Sequence, residues 1–402
     1  MSVFLLHTRI LSMLPALFQV GRSLAQSPAD LPLHEGNVTH IECQWDREEA
    51  LPGFDPDKKP QRGLWHYDLF VPDGYLAQKQ RRYPCLFVSS PGGEARHFLG
   101  LYKGWLAQHE WLAVMLAESR NGPIEPCLGN FLSAHDDAVG RLRIIETMKA
   151  AAGMSGAARM SSLYVQVRPG FRGLFLQGAG FSQSTLGRYW MHRVPADGSL
   201  SVFLTLGKND PNLTEAEFLR DALPPGVPYF PRLFDGGHVP PAENVAAQGM
   251  DWLERQMWLG AVADKSARAE IPALVKRLAA KCRDEISPVA RHALLRNIAE
   301  LVKAYRLASH AEIAAMLPEL SKHLSALKTD PAVVLETKAD TALAAMRERQ
   351  RQITAKVASL KDAGAKSSAW LDFCAACATM AELYPGTRSG EECRLLAEGL
   401  AP

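Results

Sequence analysis

The sequence lacks the features that mark membrane-spanning, nucleic-acid-binding and disulfide-stabilised proteins. No apolar run reaches the 18 or more residues of a membrane-spanning helix. Lysine and arginine (45) nearly balance aspartate and glutamate (43), so the net charge of +2 indicates neither a nucleic-acid nor an anionic membrane partner. Seven cysteines in 402 residues are too few, and odd in number, for a small disulfide scaffold. With 47% hydrophobic residues, the chain is expected to bury a large core.

The first 25 residues have the pattern of an export signal. Arg9 precedes an apolar stretch over 10–20, and Ser23-Leu24-Ala25 supplies small residues suited to a cleavage site. A buried N-terminal helix is the alternative, because apolar residues also precede the charge. We expect a signal peptide over 1–25, then a polar lead-in over 26–63. The protein is accordingly expected to be secreted or periplasmic, and otherwise cytoplasmic.

The composition and hydrophobic periodicity of the sequence divide the rest of the chain into two parts. Between residues 64 and 260, short apolar runs alternate with longer mixed segments, the pattern of a mainly parallel sheet. The predicted strands are 65–71, 83–89, 111–118, a short one ending at Gly153, 173–178, 202–207 and 229–234. Beyond residue 260, Ala, Leu, Glu, Lys and Arg dominate, and apolar positions recur at helical spacing. We predict an α/β domain over 64–260 and a separate all-helical domain over 261–402.

Four short segments that follow predicted strands carry residues suited to nucleophilic catalysis. They are, in chain order, Ser89-Ser90-Pro91-Gly92-Gly93, Gly153-Met154-Ser155-Gly156-Ala157, Lys208-Asn209-Asp210 and Gly236-Gly237-His238. A serine hydroxyl is a poor nucleophile until an adjacent base takes its proton. The small residues around Ser155 allow the tight strand-to-helix turn that exposes such a serine. We predict that His238 is the base and that Asp210 orients it.

These segments and their order resemble the α/β-hydrolase fold, and in detail the secreted esterases related to polyhydroxybutyrate depolymerases and feruloyl esterases. The resemblance covers about residues 64–258 and no part of the helical region. It implies that Ser155 is the nucleophile of a triad with His238 and Asp210. No metal and no organic cofactor is implied.

The resemblance also implies an oxyanion hole and a set of substrate-contacting residues. The N–H of Gly156, at the start of the helix after Ser155, is one expected oxyanion donor, and Gly92 or Gly93 is the other. Three further residues are expected to border the substrate: Met154, His97 and Ser182.

Three other segments offer competing interpretations of the site. Ser182, in Gly180-Phe181-Ser182, also resembles a nucleophile turn, but too little chain separates it from the Asp210 strand for a helix and another strand. Asp235 is the alternative acid, although a triad carboxylate usually follows the preceding strand. His135-Asp136-Asp137 could suggest a metal, but we interpret it as the start of a helix with an acidic first turn.

The implied activity is hydrolysis of carboxylic esters through an acyl-enzyme, on a small-molecule or polymer-derived ester. A peptidase on the same fold is one alternative. A non-catalytic binding protein that keeps the fold is another, with the C-terminal helices contacting a protein partner. Activity-based labelling of Ser155 separates the last alternative from the first two.

Overall fold

A mixed sheet of eight strands lies at the centre of the protein. The computed structural model describes residues 31–44, 60–183, 188–359 and 362–400. The strands are β1 (Val38–Glu42), β2 (His66–Phe70), β3 (Tyr83–Ser89), β4 (Leu112–Leu116), β5 (Ile144–Met154), β6 (Phe171–Gln177), β7 (Ser201–Gly207) and β8 (Tyr229–Phe234). Their order across the sheet is β1-β2-β4-β3-β5-β6-β7-β8. Strand β2 runs antiparallel to both neighbours, and all other pairs are parallel. The predicted mainly parallel sheet is confirmed.

Helices cover both faces of this sheet. Within the described ranges they are α1 (Leu99–His109), α2 (Ile124–Arg141), α3 (Gly156–Val167), α4 (Glu215–Ala222), α5 (Glu243–Gly260), α6 (Lys265–Asp284), α7 (Pro288–Tyr305), α8 (Ala311–Leu327), α9 (Pro331–Ser359), α10 (Ala363–Leu383) and α11 (Arg388–Gly399). None of the helices in those ranges is long and apolar enough to cross a membrane.

The central strands are buried on both faces, which explains their continuous apolar sequences. Along β3, Cys85 and Phe87 point to a cluster that includes residues of α2, α3, α9, α10 and α11. Leu86 and Val88 point to the opposite cluster, which includes residues of α1 and α5 to α8. Successive side chains of a strand alternate between faces, so a strand between two helical layers has no polar side.

Strand β5 forms although part of its sequence disfavours a strand. The stretch 149–152, Lys-Ala-Ala-Ala, has poor β-propensity, yet β5 spans 11 residues in the middle of the sheet. Ala151 belongs to the cluster that includes α3 residues, whereas Ala150 and Ala152 belong to the cluster that includes α6 residues. Alanine there lets helices of both layers approach the strand closely, and this packing outweighs the propensity.

The region beyond residue 260 is helical, as predicted, but it is packed on the α/β part. The predicted boundary coincides with the end of α5 at Gly260. Ile271 of α6 shares a hydrophobic cluster with Phe70 of β2. On the other face, Arg232 of β8 donates to the buried carboxylate of Glu392 in α11 at 2.8 Å. The two parts therefore share core residues on both sides of the sheet, rather than having separate cores.

The sheet begins earlier than the sequence predicts. The expected signal peptide over 1–25 lies outside the described residues. The lead-in expected over 26–63 contains β1, which pairs antiparallel with β2 from Val38 opposite Phe70 to Glu42 opposite His66. Its five residues bury only alternate side chains. An edge strand so short and half polar gives little sequence signal.

Candidate active site

Ser155 occupies a sharp turn between β5 and α3. Its backbone φ of 55° lies in the left-handed region, which a residue with a Cβ rarely adopts. The N–H of Ser155 donates to the carbonyl of Gln177 at 2.7 Å, which ties the turn to the neighbouring strand β6. A Cβ on Gly153 would lie 2.4 Å from the carbonyl oxygen of Ala157, so only glycine fits before the turn. These contacts hold the serine in a strained conformation at a tight strand-to-helix turn.

The structure brings His238 and Asp210 to this serine. His238 follows β8, and its Nε2 lies 2.8 Å from Ser155 Oγ. Its Nδ1 lies 3.0 Å from Oδ2 of Asp210, which follows β7. An ionised carboxylate can only accept, so Nδ1–H donates to Asp210 and Nε2 is left to accept from the serine hydroxyl. The three side chains thus form one directed hydrogen-bond chain at the carboxyl ends of three parallel strands.

The Asp210 carboxylate is fixed from its other side. The side chain of Asp210 is completely buried, whereas that of His238 is 33% exposed. Oδ1 of Asp210 accepts the backbone N–H of Asn212 at 2.8 Å, and the Asn212 amide donates to the carbonyl of Gly178 at 2.7 Å. The carboxylate therefore has one oxygen committed to the backbone and one available to orient the imidazole.

Neither Asp235 nor Ser182, the two competing residues, takes part in this hydrogen-bond chain. The side chain of Asp235 is 66% exposed, and its carboxylate accepts from Lys208 Nζ at 3.0 Å. Ser182 lies in the loop after β6, where its N–H donates to Ser162 Oγ on α3 at 2.9 Å. Among the described residues no helix starts at Ser182, so this segment does not form a second elbow.

The three expected oxyanion donors are placed differently. Gly156 begins α3, where the first backbone N–H groups have no acceptor within the helix. In contrast, Gly93 N–H donates to the carbonyl of Ser90 at 3.2 Å, and Gly92 N–H donates to Ser90 Oγ at 3.2 Å. The structure thus leaves Gly156 available, whereas Gly92 and Gly93 donate within their own loop.

The remaining expected substrate contacts are only partly placed at the elbow. Met154 is buried directly before Ser155. The His97 imidazole is 68% exposed and bonds the Glu94 carboxylate at 3.0 Å, so it lies on the surface of the β3–α1 connection. No polar contact joins it to Ser155 within the described residues.

Sequence reasoning missed Asn121, which borders the elbow. A Cβ on Gly156 would lie 2.0 Å from Asn121 Oδ1. Asn121 also lines an open cleft of about 540 Å³, together with Trp65, Gly92, Gly93 and Arg120. The segment Ser119-Arg120-Asn121-Gly122 predicts only a polar turn after β4. Nothing in its residue spacing indicates a contact with Gly156, 35 positions later.

The His135-Asp136-Asp137 triplet is structural, and its predicted place at a helix start is wrong. It lies near the end of α2 rather than in a first turn. Lys149 Nζ donates to His135 Nε2 at 2.8 Å, and His135 Nδ1 bonds Asp136 at 2.8 Å. Burial is the main cause that lowers the pKa of His135 to about 4, so the ring is neutral. No metal-binding group of three or more His, Cys, Asp or Glu is found in the described residues.

No protein-family model and no curated protein matches this sequence. Solved structures similar to it include a ferulic acid esterase, with 16% identity and a TM-score of 0.39, over 55% of this chain and 98% of the other. A bacterial heroin esterase has 17% identity and a TM-score of 0.39, over 57% and 87%. An S-formylglutathione hydrolase from Agrobacterium tumefaciens has 13% identity and a TM-score of 0.37, over 55% and 95%. At such identities and TM-scores, these similarities assign no activity to this chain.

Proposed function

We propose that the protein is a serine hydrolase that cleaves carboxylic esters through an acyl-enzyme. The observation that carries this proposal is the hydrogen-bond chain from Asp210 through His238 to Ser155, with distances of 3.0 and 2.8 Å. Its direction makes the imidazole an acceptor for the serine proton, as general-base activation requires. The strained elbow that presents Ser155 supports the same function.

The reaction follows from this arrangement. Ser155 Oγ attacks the ester carbonyl carbon while its proton moves to His238 Nε2. The buried Asp210 carboxylate stabilises the imidazolium that forms. The tetrahedral intermediate collapses, the C–O bond to the alcohol breaks, and His238 returns its proton to the leaving oxygen. Water then attacks the acyl carbon while His238 takes its proton. The bond to Ser155 Oγ breaks as His238 returns this proton to Oγ, and the acid is released.

The surroundings favour an open site and a soluble ester. One third of the His238 side chain is exposed, so the imidazole is in contact with solvent, which supports an open site. Asn121, which is packed against Gly156, also lines a cleft of about 540 Å³, a volume that could hold one side of an ester. Small-molecule esters and the ends of polymer-derived esters fit this description.

Steady-state hydrolysis by the full chain tests the proposal. We expect p-nitrophenyl acetate to be cleaved faster than peptide p-nitroanilides, and Ser155→Ala to lose at least 10⁴-fold in kcat. The matched control is Ser325→Ala, which removes an exposed hydroxyl on α8 and should keep the parental rate. Activity of Ser155→Ala within tenfold of the parent would contradict the proposal. Faster cleavage of the anilides would indicate a peptidase. If the full chain turned over neither substrate, a non-catalytic binding protein would be indicated.

A further inference from the structure

Ester hydrolysis at Ser155 requires donors for the negative charge that develops on the carbonyl oxygen. Such oxyanion holes usually combine two preorganised N–H groups, each within about 2.7–3.1 Å of the oxyanion. Gly156 N–H, at the start of α3, supplies one donor. The N–H groups of Gly92 and Gly93 bond Ser90, and the N–H of Glu94 bonds the carbonyl of Ala117 at 2.7 Å. The loop after β3 therefore has its backbone donors at 92–94 already committed.

The carboxamide of Asn121 is packed against Gly156, the residue that follows the nucleophile. The position of a Cβ on Gly156 would be 2.0 Å from Oδ1, 2.8 Å from Cγ and 3.2 Å from Nδ2 of Asn121. Side chains on a helix tilt toward its N-terminus, the direction in which the free N–H groups of the first turn also point. The carboxamide is thus packed against the residue that follows the nucleophile, on the side of the expected oxyanion.

The backbone of Asn121 is held while its side chain is free to bind. Its N–H donates to the carbonyl of Pro91 at 2.8 Å, and its neighbour Arg120 forms a bridge with Gly92. Within the described part of the chain, no hydrogen bond to the Asn121 carboxamide is found. A half-turn about χ2 exchanges Nδ2 and Oδ1, so the NH₂ group can take the place of Oδ1 beside Gly156 at little cost.

We propose that Asn121 Nδ2 is the second oxyanion donor, beside the N–H of Gly156. The proposal rests on the proposed function of Ser155. When Oγ bonds to the carbonyl carbon, the π electrons move to the carbonyl oxygen, and the serine proton moves to His238. That oxygen accepts N–H from Gly156 and from Asn121 until the C=O bond reforms and the alcohol leaves with the proton from His238. Glycine at 156 is explained as well, because any side chain there would occupy the space of the carboxamide.

Paired kinetics of Asn121 variants test this assignment. Asn121→Ala should lower kcat on p-nitrophenyl acetate by about 10²–10³-fold with KM within about threefold, because the donor acts mainly in the transition state. Asn121→Leu, which keeps the bulk without a donor, should lose as much. The matched control Asn37→Ala removes an exposed amide before β1 and should keep the parental kcat. Thermal unfolding should be unchanged in all three, since the Asn121 side chain is exposed.

Inhibition by phenylboronic acid gives a second readout that a purely structural role would not move. Boron forms a tetrahedral anionic adduct with Ser155 Oγ, and Asn121→Ala should weaken this inhibition at least tenfold. A kcat within threefold of the parent, or a raised KM with normal kcat, would overturn the assignment. If Ser155→Ala is inactive while Asn121→Ala is normal, only the oxyanion assignment fails. If Ser155→Ala stays active, the proposed function itself fails.

Discussion

Replacing Asp210 by asparagine tests how the imidazole is oriented. Oδ1 of Asp210 accepts the Asn212 N–H at 2.8 Å, and the new amide would keep its oxygen on this fixed donor. Its NH₂ group would then face His238 Nδ1, which lies 3.0 Å from Oδ2 in the parent. Nδ1 would have to accept, so the proton of the neutral ring would move to Nε2. The ring could no longer take the proton of Ser155.

The expected loss is about 10⁴-fold in kcat, by analogy with the wrong-tautomer effect in serine proteases. At 1.36 kcal/mol for each factor of ten, this raises the barrier by about 5 kcal/mol. Stopped-flow hydrolysis of p-nitrophenyl acetate measures kcat, and KM should change little because Asp210 is buried behind the imidazole. Asp235→Asn is the matched control, since Asp235 is exposed and pairs with Lys208. A large loss in Asp235→Asn together with a normal Asp210→Asn would refute the reasoning.

Two further predictions concern stability. A fragment ending at residue 260 should aggregate, or unfold at a lower urea concentration than the full chain. Removal of the C-terminal helices exposes apolar side chains on both faces of the sheet and leaves the buried Arg232 without its partner Glu392. A fragment that unfolds cooperatively at the urea midpoint of the full chain would instead support independent domains. The pKa of buried His135 is about 4 in the folded chain and 6.5 unfolded, so the unfolded chain binds more protons between these values. The free energy of unfolding should therefore fall by up to about 3 kcal/mol from pH 6.5 to 4, and urea titrations of His135→Asn should show a smaller fall.

The sequence predicted the structure best at buried strands and at turns that carry reactive side chains, where few residue types are compatible with the structure. Strands β3 and β8 begin and end where their apolar runs predict, at 83–89 and 229–234. Both are bounded by turn residues and packed between helical layers, so composition and position agree. The segments that carry Ser155, Asp210 and His238 were predicted as one candidate site for a related reason, because each combines a reactive side chain with the small residues that a turn at a strand end needs.

The remaining features depend on contacts that no local pattern encodes. The alanines of β5 give a weak strand signal, because alanine has low β-propensity and their burial depends on helices that are distant in the sequence. Gly92 and Gly93 have the composition of an oxyanion loop, but their hydrogen bonds to Ser90 depend on the loop conformation. Asn121 reaches Gly156 only because β4 and β5 lie two strands apart in the sheet, with β3 between them. The packing of the helices beyond residue 260 against the sheet could not be predicted either, since a helical sequence pattern does not indicate which surface the helices cover.

Covalent labelling measures the reactivity of Ser155 most directly. The full chain is incubated with a fluorophosphonate probe, digested, and the adduct is located by peptide mass spectrometry. We predict one adduct, on the peptide that contains Ser155, and labelling slowed by at least 10³-fold in His238→Ala because the serine then lacks its base. An adduct on Ser182 or another serine, or labelling of Ser155 at the parental rate in His238→Ala, would contradict the account.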